Sequence, residues 1–440
     1  MKNIFDSSLS PIFRSKKLIL TMLIVSMPMG HAQEKRPTEL PLVGKDYLLS
    51  KYQGSFKIEH SDEFSRTSYA SGRVAFNPNR NSVFVDSHVY QLGVGEFKIP
   101  DGLSTLIDKR LLTNAESLQD FVPLIERTDT GTKDGINRLG GMDLVEGDLV
   151  VQGYDSYDAN GDAKQTTIVL REPSDLSGSE VDGFYEMEGA ARTVNYLSPI
   201  PYEWRERLGG RYLAGNGGGM SIVTRNSEGP SLYIFDPDEL SGSEWTVPTN
   251  VLMNYPAEHA LSTALYQDGT IPGSGDWDIV NSSGKNDLWT EASVAAFGFI
   301  IPNTRTFMVV GSSGMHFSGG GYKITNDEGY VCGGFCAKDN EDYYTYYWMY
   351  DLAEILDAPN PWSVLPYEYG RFDDRWMEYN DQGGIGGVSG GSFDLASGTL
   401  VLSHRAATKS HESGSPILSV YKLPTNSPPS SPADLQVDVK

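Results

Sequence analysis

The phrase PSDLSGSE at 173–180 returns as PDELSGSE at 237–244, and both copies follow a short run dense in β-branched and aromatic residues, QTTIVLRE and SLYIFD. Apolar strands of the same kind, each ahead of a Pro, Asp or Leu turn, recur in GEFKIPDGL, YYWMYDLAEIL and ILSVYKLP. A second phrase precedes these endings. VAFNPNRNSVFVDS, MDLVEGDLVVQG, FIIPNTRTFMVVG and FDLASGTLVLSH each read as apolar strand, tight turn and β-branched strand, the pattern of a hairpin. Gly and Ala lead several of them in (LGGMD, SGGSF, SVAAFG), as suits strands that crowd a common axis.

A hairpin plus closing strands, repeated about every 65–75 residues, is the pattern of a β-propeller: one blade cannot bury both faces of its sheet alone, so several pack in a ring. Closing strands fall near 97, 168, 234, 347 and 420. The long gap between the third and fourth leaves room for one more blade, and the stretch 104–130 for another, so the expectation is an all-β, seven-bladed propeller over 46–424. A two-sheet sandwich with a second β-domain is the alternative. PIPYEWRERLGG (199–210) reads as one short helix beginning after Pro201 and ending at the Gly pair.

The ends of the chain read differently. RSKK at 14–17, the apolar LILTMLIVSMPMG and the small residues Gly30 and Ala32 form a signal peptide over 1–32, with cleavage near Ala32. A secreted or periplasmic protein is expected. Residues 33–45 are a lead-in, and the Pro/Ser-rich 425–440 is a tail or linker. The net charge of −23 becomes 31 − 57 = −26 without 1–32, which removes four basic residues and one acid. Such a surface repels nucleic acid and anionic membrane, so neither is an expected partner, and an anionic substrate needs a locally basic pocket. A monomer is expected, with no organic cofactor: no phosphate loop, dinucleotide fingerprint or nucleophile elbow occurs.

Reading each hairpin as innermost strand then second strand puts His88, Tyr154, His316 and His404 just past the second strand, on one shared face. Cys332 and Cys336 in VCGGFC have three readings. With His316 they offer thiolates and an imidazole to a structural zinc ion; they can form a disulfide; or they are free thiols. Asp339, Glu341 and Asp342 are the nearby oxygen donors. DANGD (158–162) alternates acids as calcium loops do, but lacks their Gly and closing Glu, so a hairpin turn is expected there.

Taken together, NSVFVDSHVYQLGVGEFKIP, LGGMDLVEGDLVVQGYDSYDA, PIPYEWRERLGGRYLAG, the His316–Cys332–Cys336 set and GGVSGGSFDLASGTLVLS resemble the secreted seven-bladed β-propeller ulvan lyases and their uncharacterised relatives. The likeness covers roughly 46–424. It implies a polysaccharide lyase that cleaves a uronic-acid-containing, sulfated algal polysaccharide by β-elimination. In that reaction a base removes the proton beside the carboxylate, an acid protonates the leaving oxygen, and a cation neutralises the carboxylate. By motif the resemblance assigns His88 and Tyr154 as base and acid and Arg171 as the neutralising cation. Tyr157, Arg192 and Tyr212 are placed as substrate-binding residues, Tyr157 as a neighbour able to replace Tyr154 and Arg192 as the fallback cation. A glycoside hydrolase using paired carboxylates, or a non-catalytic carbohydrate-binding propeller, are the other functions such a chain can serve.

Overall fold

Four of the hairpin phrases become the two innermost strands of four different sheets. The computed structural model describes residues 36–128, 135–241, 245–262, 277–405 and 414–426. In the first blade Val74–Asn77 pairs with Ser82–Asp86, and Gly93–Lys98 and Glu116–Pro123 follow outward. The second blade is Arg138–Val145, Asp148–Tyr154, Gln165–Leu170 and Val181–Met187, edged by Thr246–Val247. The third is Tyr196–Pro199, Tyr212–Gly215, Leu232–Phe235 and Asn250–Met253, and the fourth Val294–Ile300, Thr306–Gly314, Tyr343–Asp351 and Glu368–Arg371. The fifth blade takes Val388–Asp394, Thr399–His404 and Ile417–Lys422 from the C-terminal part of the chain and its outer strand, Tyr52–Lys57, from the N-terminal part. Each innermost strand packs against the next, and Val388–Asp394 against Val74–Asn77, so the sheets form a closed ring. The protein is a β-propeller.

The count differs from the expected seven: five such sheets are present among the described residues. The five closing strands read from the sequence near 97, 168, 234, 347 and 420 are the third strands of these five sheets. The described part of the stretch 104–130 holds no separate blade; it contains Glu116–Pro123, the outer strand of the first. Between Met253 and Val294 the described residues hold no further sheet. Part of that span, 263–276, lies outside the described residues, as do the expected signal peptide and most of the tail. No helix among the described residues is long and apolar enough to cross a membrane.

Local chemistry explains the elements. Asn81 and Asn303 take left-handed backbone positions at the hairpin turns (φ +48° and +60°), a conformation Asn tolerates better than most residues. In the third blade the hairpin turn is replaced by the helix Tyr202–Leu208, which starts after Pro201 and stops at Gly209 with φ +77°, as the sequence suggested. That helix drives Trp204 into the core, where its indole N–H donates to the Thr304 carbonyl at 2.8 Å. Trp289, Trp348 and Trp376 are also fully buried, and Trp348 donates to the Leu288 carbonyl at 2.8 Å. Around the axis the small residues are required by backbone approach. A Cβ on Gly141 would sit 2.7 Å from the Tyr196 backbone, and one on Gly391 2.6 Å from the Phe297 ring.

Candidate functional site

Every innermost strand begins at the same end of the ring, and every second strand ends there: Val74 pairs with Val85, Arg138 with Tyr154, Tyr196 with Gly215, Val294 with Ser312 and Val388 with His404. At that end the axis opens into a cavity of about 560 Å³ whose lining includes residues from all five blades. Among the described residues its charged lining is Arg73, Arg138 and Arg405, with no carboxylate. In a chain of net charge −23 this is a local inversion of sign.

Arg73 is held rigidly. Its guanidinium donates to the Ser389 carbonyl at 3.1 Å and to Asn195 Oδ1 at 3.1 Å, and it is only 8% exposed. The turn that carries it is fixed by Asp86, whose carboxylate accepts the backbone N–H groups of Ser71, Gly72 and Arg73 at 2.6, 3.0 and 2.8 Å. Burial raises the Asp86 carboxyl to about 6, against the pull of the Arg73 charge and those three N–H groups. Arg138 is more open and lies over the Tyr90 ring, 5.0 Å from its centroid. The hairpin of Glu378–Asn380 and Gly383–Ile385 adds Asn380 and Gly383 to Ile385 to the lining. It is tied down where Tyr379 donates to the Tyr343 carbonyl at 3.0 Å and Asn340 to the Asn380 carbonyl at 2.7 Å.

The structure brings some of the expected site residues to this end and separates others. Tyr154 lines the cavity. His88 is half-buried and does not itself line the cavity; its ring packs on Tyr69, which does, and on Tyr90, at centroid distances of 5.5 and 5.7 Å. Burial, and then the Arg66 charge, lower the His88 pKa, so its imidazole is neutral at neutral pH. Tyr157 stands exposed in the loop after Tyr154. The 158–162 stretch is a turn, in which the Asp158 carboxylate accepts the N–H groups of Gly161 and Asp162.

Arg171 is elsewhere. It follows Leu170, which pairs with Leu149 at the opposite end of the ring, and is bound there by Asp148 at 2.6 Å, Asp182 at 2.7 Å and the Leu240 carbonyl at 2.6 Å. Its guanidinium is thus engaged by two carboxylates at the end of the ring away from Tyr154. Tyr212 is also at that far end, paired with Pro199 and buried against Phe235. Arg192 does lie near the cavity end, in the turn leading into Tyr196–Pro199, but its guanidinium reaches the Thr224 carbonyl at 3.4 Å and does not line the cavity.

The proposed zinc set does not form. Cys332 and Cys336 are joined in a disulfide, so neither supplies a thiolate, and His316 is buried with Nε2 2.8 Å from Ser313 Oγ and its ring stacked on Tyr346 at 4.8 Å. His404 is a core residue bonded to Ser419 Oγ at 3.0 Å, and burial lowers its pKa to about 4.

The residues that sequence reasoning missed are the arginines of the cavity. Their signal was positional: Arg73 immediately precedes, and Arg138 begins, an innermost strand, directly ahead of the phrases VAFNPN and LGGMD.

Further along the second blade's innermost strand, Asp143 accepts the Ser392 hydroxyl from the fifth blade at 2.8 Å. Burial raises its carboxyl to about 7, opposed by the Ser392 and Leu144 donors and helped by the Asp394 charge. The folded chain therefore keeps a proton that the unfolded chain, titrating at the ordinary aspartate value of 3.8, has released, and stability contributed by this group falls as pH rises from about 4 to about 7. Asp143→Asn is neutral throughout, so it should gain on the wild type by on the order of 3 kcal/mol between pH 4 and pH 8. Urea unfolding at the two pH values checks this; identical pH slopes in both proteins would contradict it.

No protein-family model matches the chain, and no curated protein matches it.

Proposed function

We propose that the protein binds an anionic, uronate-bearing polysaccharide at the mouth of the ring and cleaves it by β-elimination. The observation that carries the reading is the cavity lined, among the described residues, by three arginines and no carboxylate in a strongly acidic chain. The net negative charge of the chain works against binding a polyanion elsewhere, and the arginines of this mouth favour it here. Arg138 replaces Arg171 as the group that neutralises the uronate carboxylate, because it is the cavity arginine whose strand pairs directly with Tyr154. Arg73 and Arg405 hold neighbouring anionic groups of the same chain.

Neutralisation makes the proton beside the carboxylate acidic enough for a side-chain base. His88 and Tyr154 supply the base and the acid. The lowered His88 pKa favours the unprotonated ring that a base requires. Its Nδ1 accepts the Tyr90 N–H at 3.3 Å, which leaves the ring proton on Nε2, so base action at Nε2 requires that long contact to give way as the proton shifts to Nδ1. A hydrolase mechanism fits this cavity poorly, because it needs two carboxyl groups flanking the bond.

The test is to incubate the protein with uronate polysaccharides and follow the ultraviolet absorbance of unsaturated products. Wild type should generate it, and His88→Ala and Tyr154→Phe should each lower the rate by about 100-fold or more. Reducing ends formed without that absorbance would mean hydrolysis, and retention without turnover would mean a binding protein.

A further inference from the structure

Away from the axial cavity, three metal-ligating side chains converge from two separate parts of the chain. His60 and Asp62 lie in the segment that follows Tyr52–Lys57, the outer strand of the fifth blade, and Asp120 lies in Glu116–Pro123, the outer strand of the first blade. His60 Nε2 is 3.5 Å from Asp62 Oδ2 and 3.4 Å from Asp120 Oδ1, and the three ligand atoms lie within 4.8 Å of one another. Nε2 is shielded from solvent, yet it makes no hydrogen bond with either carboxylate or with any other described group.

We propose that His60, Asp62 and Asp120 form a binding site for a divalent transition-metal ion, zinc foremost, independent of the cavity. Ligands at about 2.0–2.1 Å around a tetrahedral ion stand about 3.3–3.4 Å apart, close to the nitrogen–oxygen separations of 3.4 and 3.5 Å. One neutral imidazole and two carboxylates carry a charge of −2, which a divalent ion cancels. A nitrogen donor among the three favours zinc over calcium or magnesium, which prefer oxygen alone.

The ligands are also oriented in advance. Asp62 Oδ1 accepts the N–H groups of Phe64 and Ser65 at 2.9 and 2.8 Å, and Oδ2 accepts that of Phe121 at 2.7 Å. The His60 ring is wedged against Phe97 and Phe121, at centroid distances of 5.3 and 5.7 Å. Asp120 is open to solvent, so water can complete the coordination. The ion ties the segment after Tyr52–Lys57 to the first blade. The same segment reaches the loop of His88: Ser65 donates to Gln91 Oε1 at 2.6 Å, and Gln91 to the Phe64 carbonyl at 2.9 Å.

The experiment uses the untagged full chain, dialysed against chelator and then exposed separately to zinc, manganese and calcium, with elemental analysis after desalting and a melting curve for each. About one zinc per chain should be retained, with a rise in Tm of about 3–5 °C. His60→Ala and Asp120→Asn should lose both; the exposed position of Asp120 guards against a variant that simply fails to fold. Three results would overturn the proposal: no retained zinc in the wild type, equal zinc in wild type and Asp120→Asn, or retention of manganese or calcium in its place.

Discussion

Arg138→Gln should weaken binding of a uronate oligosaccharide by roughly 10- to 100-fold while leaving the melting temperature within a degree or two, since a charge-assisted bond to a carboxylate contributes about 1.5–3 kcal/mol. The side chain is suited to this use because little of the fold depends on it: it donates to the neighbouring Asn137 carbonyl at 2.6 Å and rests on Tyr90. Arg73 is a poorer choice for mutation, because its guanidinium bridges the third and fifth blades through Asn195 and Ser389 and its loss would disturb the ring. Salt provides a second readout. Binding by arginines weakens as ionic strength rises, and the variant should show the shallower dependence. Titration calorimetry at two salt concentrations measures both. Undiminished affinity in Arg138→Gln would remove this arginine from the site.

Gly141→Val should destabilise the ring strongly. The added Cβ meets the Tyr196 backbone at 2.7 Å, and because that neighbour is the innermost strand of the adjoining blade, no flexible side chain can move aside. Overpacking of this kind costs about 1–3 kcal/mol where the core can adjust, and more where two backbones meet. Loss of at least that much in urea unfolding, or failure to accumulate folded protein, is the expected outcome. Near wild-type stability would mean that the blades are not packed as closely as described.

The propeller was legible because its hairpins are local: alternating strands, Asn and Gly turns and a tight register write themselves within about fourteen residues, as in VAFNPNRNSVFVDS. The blade number was not. Outer strands lie far from their sheets in sequence, as Glu116–Pro123 does beyond a long loop after Lys98, and a loop of that size is easily read as a further blade. The third blade hid its hairpin behind the helix Tyr202–Leu208. For the site, strand polarity placed His88 and Tyr154 at one end, and the same logic applied to the third strand would have sent Arg171 to the other, where Asp148 and Asp182 await it. The disulfide between Cys332 and Cys336 depended on side-chain approach, which a spacing of four residues leaves open between metal, bridge and free thiols.

The most direct test of the account is the affinity of the protein for a uronate oligosaccharide compared with the same oligosaccharide after its carboxylates have been reduced to alcohols. Recognition through the arginines of the ring mouth predicts at least tenfold weaker binding of the reduced form, with the difference shrinking in Arg138→Gln. Equal affinity for the two would contradict it.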